Sequence, residues 1–124
     1  MRWSSHGGTV DVDGVPILPG LAKVSVPVCF FAGSVDWLAP ADTVRAGYEA
    51  WGRALPRVDK HFVLLGRAHG SCDDYGHCDI SFGRHAKKEV YVPAAGFLNT
   101  GTLQLPRSAA VEEVSYAGAP AQAH

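Results

Sequence analysis

The chain has 124 residues, with 11 Lys and Arg against 12 Asp and Glu, so its formal charge is −1 when the histidines are neutral. A chain of this length forms at most one domain. A content of 47% hydrophobic and 19% charged residues excludes an intrinsically disordered chain. The near-neutral charge, without a basic cluster, argues against nucleic acid as a partner, because binding phosphates requires concentrated Lys and Arg.

The apolar runs are too short to cross a membrane, so no membrane span is expected. The longest run, Val26–Ala32, has seven residues and includes Pro27, whereas a spanning helix needs about 20. Three cysteines cannot all pair within one chain, which argues against a small disulfide-stapled scaffold: Cys29, Cys72 and Cys78. No signal peptide is recognisable, so the compartment stays unassigned, with the cytoplasm as a default expectation.

Composition divides the chain into three expected parts. Residues 1–13 are Gly- and Ser-rich, lack a hydrophobic period and are predicted to be an irregular N-terminal segment. Residues 14–101 carry the periodic patterns and are predicted to form the domain. Residues 102–124 are rich in Ala, Pro, Ser and Gln and are predicted to be a flexible tail.

Within the domain, the pattern predicts a strand, a helix and a second strand. Residues 27–33 are short, continuous and rich in β-formers, which indicates a strand buried on both faces, as in a parallel sheet. Pro40 suits the start of a helix that Pro56 is predicted to end. Its apolar face repeats at spacings of four, three and four: Val44, Tyr48, Trp51 and Leu55. With a second strand over 61–65, these elements form a βαβ unit with a right-handed crossover.

A polar loop over residues 67–83 leads into a last helix, which is predicted to start near Arg84 and to be kinked or shortened by Pro93. The fold class is therefore α/β, with the element order βαβα. Two parallel strands do not make a self-sufficient sheet, because bare edges are aggregation templates and both faces need covering layers. The chain is expected to be incomplete on its own and to belong to a larger sheet.

Two loops carry the candidate chemistry. Asp36 follows the first predicted strand, at the end where open α/β sheets place catalytic groups, although an acid there can equally cap a turn or helix. The loop after the second strand holds two histidines, two cysteines and three aspartates between His69 and Asp79. An acid and a histidine from such loops form two-thirds of a nucleophilic triad, in which the acid holds the imidazole tautomer and the imidazole takes a proton.

The residues around both loops resemble a known family. The run Val26-Pro27-Val28-Cys29-Phe30-Phe31-Ala32-Gly33, followed by Asp36 and Ala39-Pro40, resembles the penultimate-strand region of α/β-hydrolase enzymes, where the triad acid follows the strand. The run Tyr75-Gly76-His77-Cys78-Asp79, with Gly83, Ala86 and Glu89-Val90-Tyr91 beyond it, resembles the catalytic-histidine segment of the lipase and esterase branch. The resemblance covers residues 14–99. The order of acid before histidine agrees with this fold.

The resemblance implies that the chain is the C-terminal βαβα portion of an α/β-hydrolase parallel sheet and takes part in ester- or lipid-type acyl hydrolysis without a cofactor. It implies that Asp36 orients and charges the imidazole, while His77 acts as general base and then as general acid. His69 is the alternative base, because many members carry Gly-His shortly after the last strand, but the residues flanking His77 match the family better. Trp37, beside the acid, either lines a substrate pocket or covers the strand end.

The nucleophile of the family pattern is missing. No Gly-x-Ser-x-Gly elbow occurs in the 124 residues, and this strained turn is what exposes the nucleophile. The nearest imitation, Asp79-Ile80-Ser81-Phe82-Gly83, lacks the first glycine and follows the histidine, while Ser34 sits beside the acid on the wrong strand. We therefore expect a chain that is inactive alone and that acts on a small-molecule ester or lipid only when a missing N-terminal part completes it.

Two alternatives from other functional classes stay open. The first is a small zinc-binding loop module, whose ligands would be His69, Cys72, His77 and Cys78. These residue types suit zinc, but adjacent residues such as His77 and Cys78 rarely both point at one ion. The second is a non-catalytic interaction domain that binds a partner by strand addition at an exposed sheet edge.

Overall fold

The computed structural model describes residues 11–106 and 113–117, and of residues 11, 12 and 113–117 it describes the backbone alone. This part of the chain is α/β, with mixed helices and strands and a parallel pair of strands at its centre. The elements in chain order are β1 Asp11–Val12, β2 Val15–Pro16, α1 Ile17–Leu21, β3 Val28–Gly33, α2 Ala41–Ala50, β4 Asp59–Leu65, a 3-10 turn Arg67–His69, α3 Asp79–Phe82, a π-helical turn Lys87–Tyr91, α4 Val92–Thr100 and β5 Glu113–Ala117.

The predicted βαβ unit is confirmed. Strands β3 and β4 are parallel, in a register that places Phe30 opposite Phe62 and Gly33 opposite Leu65. Helix α2 connects them, as the apolar period predicted. Strand β5 pairs with β4 on its other side in the antiparallel direction, so the sheet has the order β3-β4-β5.

The sheet is the middle of three layers, because neighbouring residues of β4 point to opposite faces. Phe62 packs on one face with Ala32 of β3 and Tyr48 of α2. Val63 and Leu65 pack on the other face, in a cluster completed by Tyr75, Ala86 and Val90. Helix α2 therefore covers one side of the sheet, and the loop and helical turns that follow β4 cover the other.

Strand β3 is less buried than the sequence predicted. Its residues 28–31 are half-buried, whereas Phe62 and Val63 of the central strand are fully buried. Burial on both faces was expected for β3, but within the described ranges 11–106 and 113–117 no strand lies on its outer edge. The requirement for a further neighbour stays a prediction.

Helix α2 ends earlier than predicted, at Ala50 instead of just before Pro56. Gly52 adopts a φ of +64°, a left-handed conformation that stops the helix, and a Cβ at this position would lie 2.5 Å from Cγ2 of Val58. The ammonium group of Lys60 donates hydrogen bonds to the last carbonyl oxygens, 2.7 Å to Tyr48 and 2.9 Å to Trp51. A glycine turn and a cation from the next strand thus end the helix, which leaves Trp51 and Leu55 of the predicted apolar face outside it.

The last helical region changes from a π-helical turn to an α-helix just before Pro93, where the sequence predicts a kink. Proline has no N–H to donate to the carbonyl four residues earlier, and its ring crowds that carbonyl. The chain forms the π-helical turn Lys87–Tyr91 directly before α4, and this wider turn accommodates the proline at the start of α4. The short helix α3 lies inside the stretch that was predicted to be loop throughout.

The termini differ from the expected irregular segment and tail. The turn predicted at Asp13-Gly14 joins β1 to β2, and both residues have positive φ, as a two-residue hairpin requires. Strand β5 lies within residues 102–124, for which composition predicts a flexible tail and no strand. Residues 1–10, 107–112 and 118–124 lie outside the described residues. In the part of the chain that the structure covers, no helix is long and apolar enough to cross a membrane.

Phe62 should dominate the stability of this small core. Truncating this fully buried ring with Phe62→Ala is expected to lower the free energy of unfolding by about 3–5 kcal/mol. Phe82→Ala is the matched control, because Phe82 is 87% exposed and its loss should change stability by about 0.5 kcal/mol or less. Equal losses in urea denaturation would contradict the described core.

Candidate functional site

The candidate site lies at the carboxyl ends of β3 and β4. Because the two strands are parallel, the loops that follow them leave the sheet at the same edge. The loop after β3 carries Asp36, and the long loop after β4 carries His77. The first residue past β3 is tied to the last residue of β4, since the N–H of Ser34 donates to the carbonyl of Leu65 over 2.8 Å.

Two glycines allow these loops to touch. A Cβ on Gly33 would overlap the carbonyl oxygen of Tyr75, and a Cβ on Gly66 would overlap the hydroxyl of Ser34. The N–H of Val35 donates to the same Tyr75 carbonyl over 3.1 Å. The backbone that carries Asp36 is therefore fixed directly to the backbone two residues before His77.

The Asp36 carboxylate makes two kinds of hydrogen bond, one with each of its oxygens. One oxygen, Oδ1, accepts the backbone N–H groups of Leu38 at 3.0 Å and Ala39 at 2.9 Å, which closes the turn that leads to α2. The other oxygen, Oδ2, lies 2.9 Å from Nδ1 of His77. Asp36 thus caps a turn and holds an imidazole at the same time.

The surroundings of Asp36 keep its carboxylate ionised. Burial raises the pKa of Asp36, but hydrogen bonds from Ala39, His77 and Leu38, together with the charge of His77, outweigh it and leave the pKa below its ordinary value. An ionised carboxylate only accepts hydrogen bonds, so Nδ1 of His77 must carry the proton. A neutral His77 therefore has its lone pair on Nε2.

The second ring nitrogen of His77 faces outward. The side chain of His77 is 53% exposed, whereas that of Asp36 is 2% exposed. Across residues 13–106, no group is hydrogen-bonded to Nε2. The carboxylate of Asp79 accepts the N–H of Gly76 over 2.7 Å and closes the turn that presents the imidazole. The pair can therefore exchange a proton through Nε2 with a group brought to the surface.

The other predicted site residues are not part of the hydrogen bond between Asp36 and His77. His69 is in the 3-10 turn Arg67–His69, and the imidazole bonded to Asp36 is that of His77. Trp37 is 82% exposed beside the buried acid, so it does not cover the strand end within the described structure. Its alternative role, lining a substrate pocket, stays a prediction.

The described residues give no support to the zinc alternative, which stays a prediction. No group of three or more His, Cys, Asp or Glu side chains between residues 13 and 106 is arranged to hold a metal ion. His77 uses Nδ1 on Asp36, and both Cys72 and Cys78 are exposed free thiols.

Sequence reasoning missed the role of Glu89. This residue is 4% exposed, and its carboxylate accepts the hydroxyl of Tyr75 at 2.6 Å and the N–H of Cys72 at 2.7 Å. The available signal was its position between Ala86 and Val90, on the apolar side of the last helical region. A carboxylate at such a place must find donors, because burying an unpaired charge is very costly.

Removing the imidazole should change the titration of Asp36. We expect His77→Ala to raise the pKa of Asp36, because burial remains while one hydrogen bond and one positive charge are lost. Carboxyl-carbon NMR against pH measures this directly. His85→Ala is the matched control, since His85 lies 3.5 Å from the Asp73 carboxylate instead.

The same shift sets the pH dependence of stability. Because the pKa of Asp36 is lower in the folded chain, its stabilisation is fully present above its ordinary pKa of about 4 and is lost as the pH falls through the folded value. The stability difference between wild type and His77→Ala should therefore shrink below about pH 4. A difference that grows as the solution becomes more acidic would contradict the pairing.

Comparisons with known proteins give no match at any level. No protein-family model matches the chain. No curated protein and no solved structure matches it either. The structure shows a mixed α/β architecture.

Proposed function

We propose that Asp36 and His77 are the acid and the general base of a nucleophile–His–Asp triad in an acyl hydrolase of the α/β-hydrolase type, with ester or lipid substrates. In this proposal the chain supplies the C-terminal βαβα portion of the hydrolase sheet. The observation that carries the proposal is the 2.9 Å contact between Nδ1 of His77 and Oδ2 of Asp36, at the carboxyl ends of two parallel strands.

The geometry suits proton transfer of this kind. The buried carboxylate of Asp36 fixes the tautomer and orientation of the ring, and its charge stabilises the imidazolium that forms in the reaction. Nε2 of His77 takes the proton of a nucleophile as that nucleophile attacks the acyl carbon. The same nitrogen then delivers the proton to the leaving oxygen of the ester.

The nucleophile is proposed to come from residues outside the 124. The sequence holds no Gly-x-Ser-x-Gly elbow. Ser34 is packed against Gly66 at the end of the sheet, and Ser81 lies on the short helix α3, which follows the histidine in the chain. The exposed Trp37 and Leu38 beside the acid support the idea that a further part of the protein covers this edge.

A non-catalytic interaction domain is the second candidate. It is favoured by the outer edge of β3, which has no paired strand among the described residues, and by the apolar groove beside that strand. Phe97 and the 83% exposed Leu98 line this groove together with Val28 and Phe31. Strand addition at this edge would not need the Asp36–His77 pair, which separates the two candidates.

A chimera tests the proposal. The chain is joined to the nucleophile-bearing N-terminal part of an esterase of this fold, in place of that enzyme's own acid–histidine portion, and is assayed on a p-nitrophenyl ester. We expect a rate that Asp36→Asn or His77→Ala lowers by about 10⁴-fold, because a triad works as a unit. The unfused chain should give no rate above that of its own His77→Ala variant.

Asp42→Asn and His85→Ala are the matched controls, because they remove an exposed acid and a histidine outside the proposed pair. Both should leave the chimera's rate unchanged. A folded chimera without activity, or one whose rate survives His77→Ala, would contradict the proposal. A rate from the unfused chain that depends on Ser81 would contradict the absence of a nucleophile.

A further inference from the structure

The buried carboxylate of Glu89 is bonded entirely to the loop that carries His77. Its oxygen Oε2 accepts the hydroxyl of Tyr75 at 2.6 Å, and Oε1 accepts the backbone N–H of Cys72 at 2.7 Å. Glu89 lies on the π-helical turn Lys87–Tyr91, so these bonds join that turn to two points of the loop. Among the described residues, no other buried carboxylate has this arrangement.

Tyr75 passes this constraint on to the catalytic pair. Its side chain is 1% exposed and is held by Glu89, while its backbone carbonyl accepts the N–H of Val35 at 3.1 Å. Val35 is the neighbour of Asp36, and His77 follows Tyr75 by two residues. Tyr75 therefore contacts the backbone next to Asp36, lies two residues before His77, and is held through its hydroxyl by Glu89.

We call the hydrogen bonds of Glu89 to Tyr75 and Cys72 the anchor. Burying the charge of Glu89 costs free energy, and these two donors offset that cost. Burial raises the pKa of Glu89, but hydrogen bonds from Tyr75 and Cys72 and the charge of His85 outweigh it and leave the pKa below its ordinary value. Burial and the neighbouring carboxylate raise the pKa of Tyr75, so its hydroxyl stays a donor. An apolar residue would fill the same space without the cost of burying a charge, but it would leave Tyr75 without its acceptor.

We propose that Glu89 is a positioning residue, which holds Tyr75 and thereby keeps His77 within bonding distance of Asp36. Its importance for catalysis rests on the proposed function, but the positioning itself is a property of this chain. If Glu89 had a purely structural role, replacing it would lower the stability of the chain and leave the Asp36–His77 hydrogen bond unchanged. The test must therefore measure that hydrogen bond directly.

The contact can be followed by proton NMR of the full chain. The Nδ1 proton of His77, assigned by its absence in His77→Ala, reports the hydrogen bond to Asp36 through its solvent exchange. Glu89→Gln and Tyr75→Phe keep side-chain volume and each remove one hydrogen bond from the anchor. We expect this proton to exchange about tenfold faster or more in both variants, because a bond to a charged group is worth at least that factor.

Tyr91→Phe is the matched control, since the Tyr91 hydroxyl is bonded to the carbonyl of Ser81 and not to the anchor. Exchange of the His77 proton should be the same in this variant as in wild type. Unchanged exchange in folded Glu89→Gln and Tyr75→Phe would overturn the role of Glu89 and leave the proposed function standing. Absence of the bonded His77 proton in wild type would overturn the pair itself, and with it the proposed function.

Amide exchange in the wild-type chain supplies a test that needs no variant to fold. The proposal predicts that the N–H groups of Cys72 and Val35, at the two ends of the linkage, are protected to a similar degree. A Cys72 amide that exchanges freely while that of Val35 is protected would overturn the proposal, because Glu89 would then not be holding the loop.

Discussion

The structure of the site depends on one backbone contact, between Tyr75 and the segment that leaves β3. Gly33 has no side chain to keep the Tyr75 carbonyl away, and Val35 donates its N–H to that carbonyl. Without this approach, the acid and the histidine would lie on separate loops with no reason to meet. With it, Nδ1 of His77 lies 2.9 Å from Oδ2 of Asp36, although the two residues are 41 positions apart in the sequence.

Two buried carboxylates, those of Asp36 and Glu89, lie on either side of this contact and bind different groups. Asp36 faces the surface side, where its charge holds an imidazole that can reach solvent. Glu89 faces the core side, where it bonds a tyrosine hydroxyl and a backbone amide. Each stays ionised because donors offset its burial, as electrostatics requires of any charge inside a protein.

The sequence predicted those features of the fold and the site that depend on a local pattern of residues. Continuous apolar runs predicted both parallel strands, and loop position together with the family resemblance predicted that Asp36 and His77 belong together. It did not predict features that depend on contacts between residues far apart in the sequence. The end of α2 depends on Lys60 from the next strand, and β5 lies within a stretch whose overall composition resembles a tail. The hydrogen bonds of Glu89 could not be predicted, because their donors, the Tyr75 hydroxyl and the Cys72 N–H, are 14 and 17 positions away in the sequence.

The central proposal is that Asp36 and His77 serve a nucleophile on an N-terminal part of the protein that is encoded upstream of these 124 residues. Sequencing the DNA upstream of the Met1 codon, in all three frames and through any frameshift, tests it most directly. The account predicts further β/α units with a Gly-x-Ser-x-Gly elbow in that region. An upstream region that ends at once in a stop codon or an unrelated gene would contradict it, and the outer edge of β3 would then be the feature to explain.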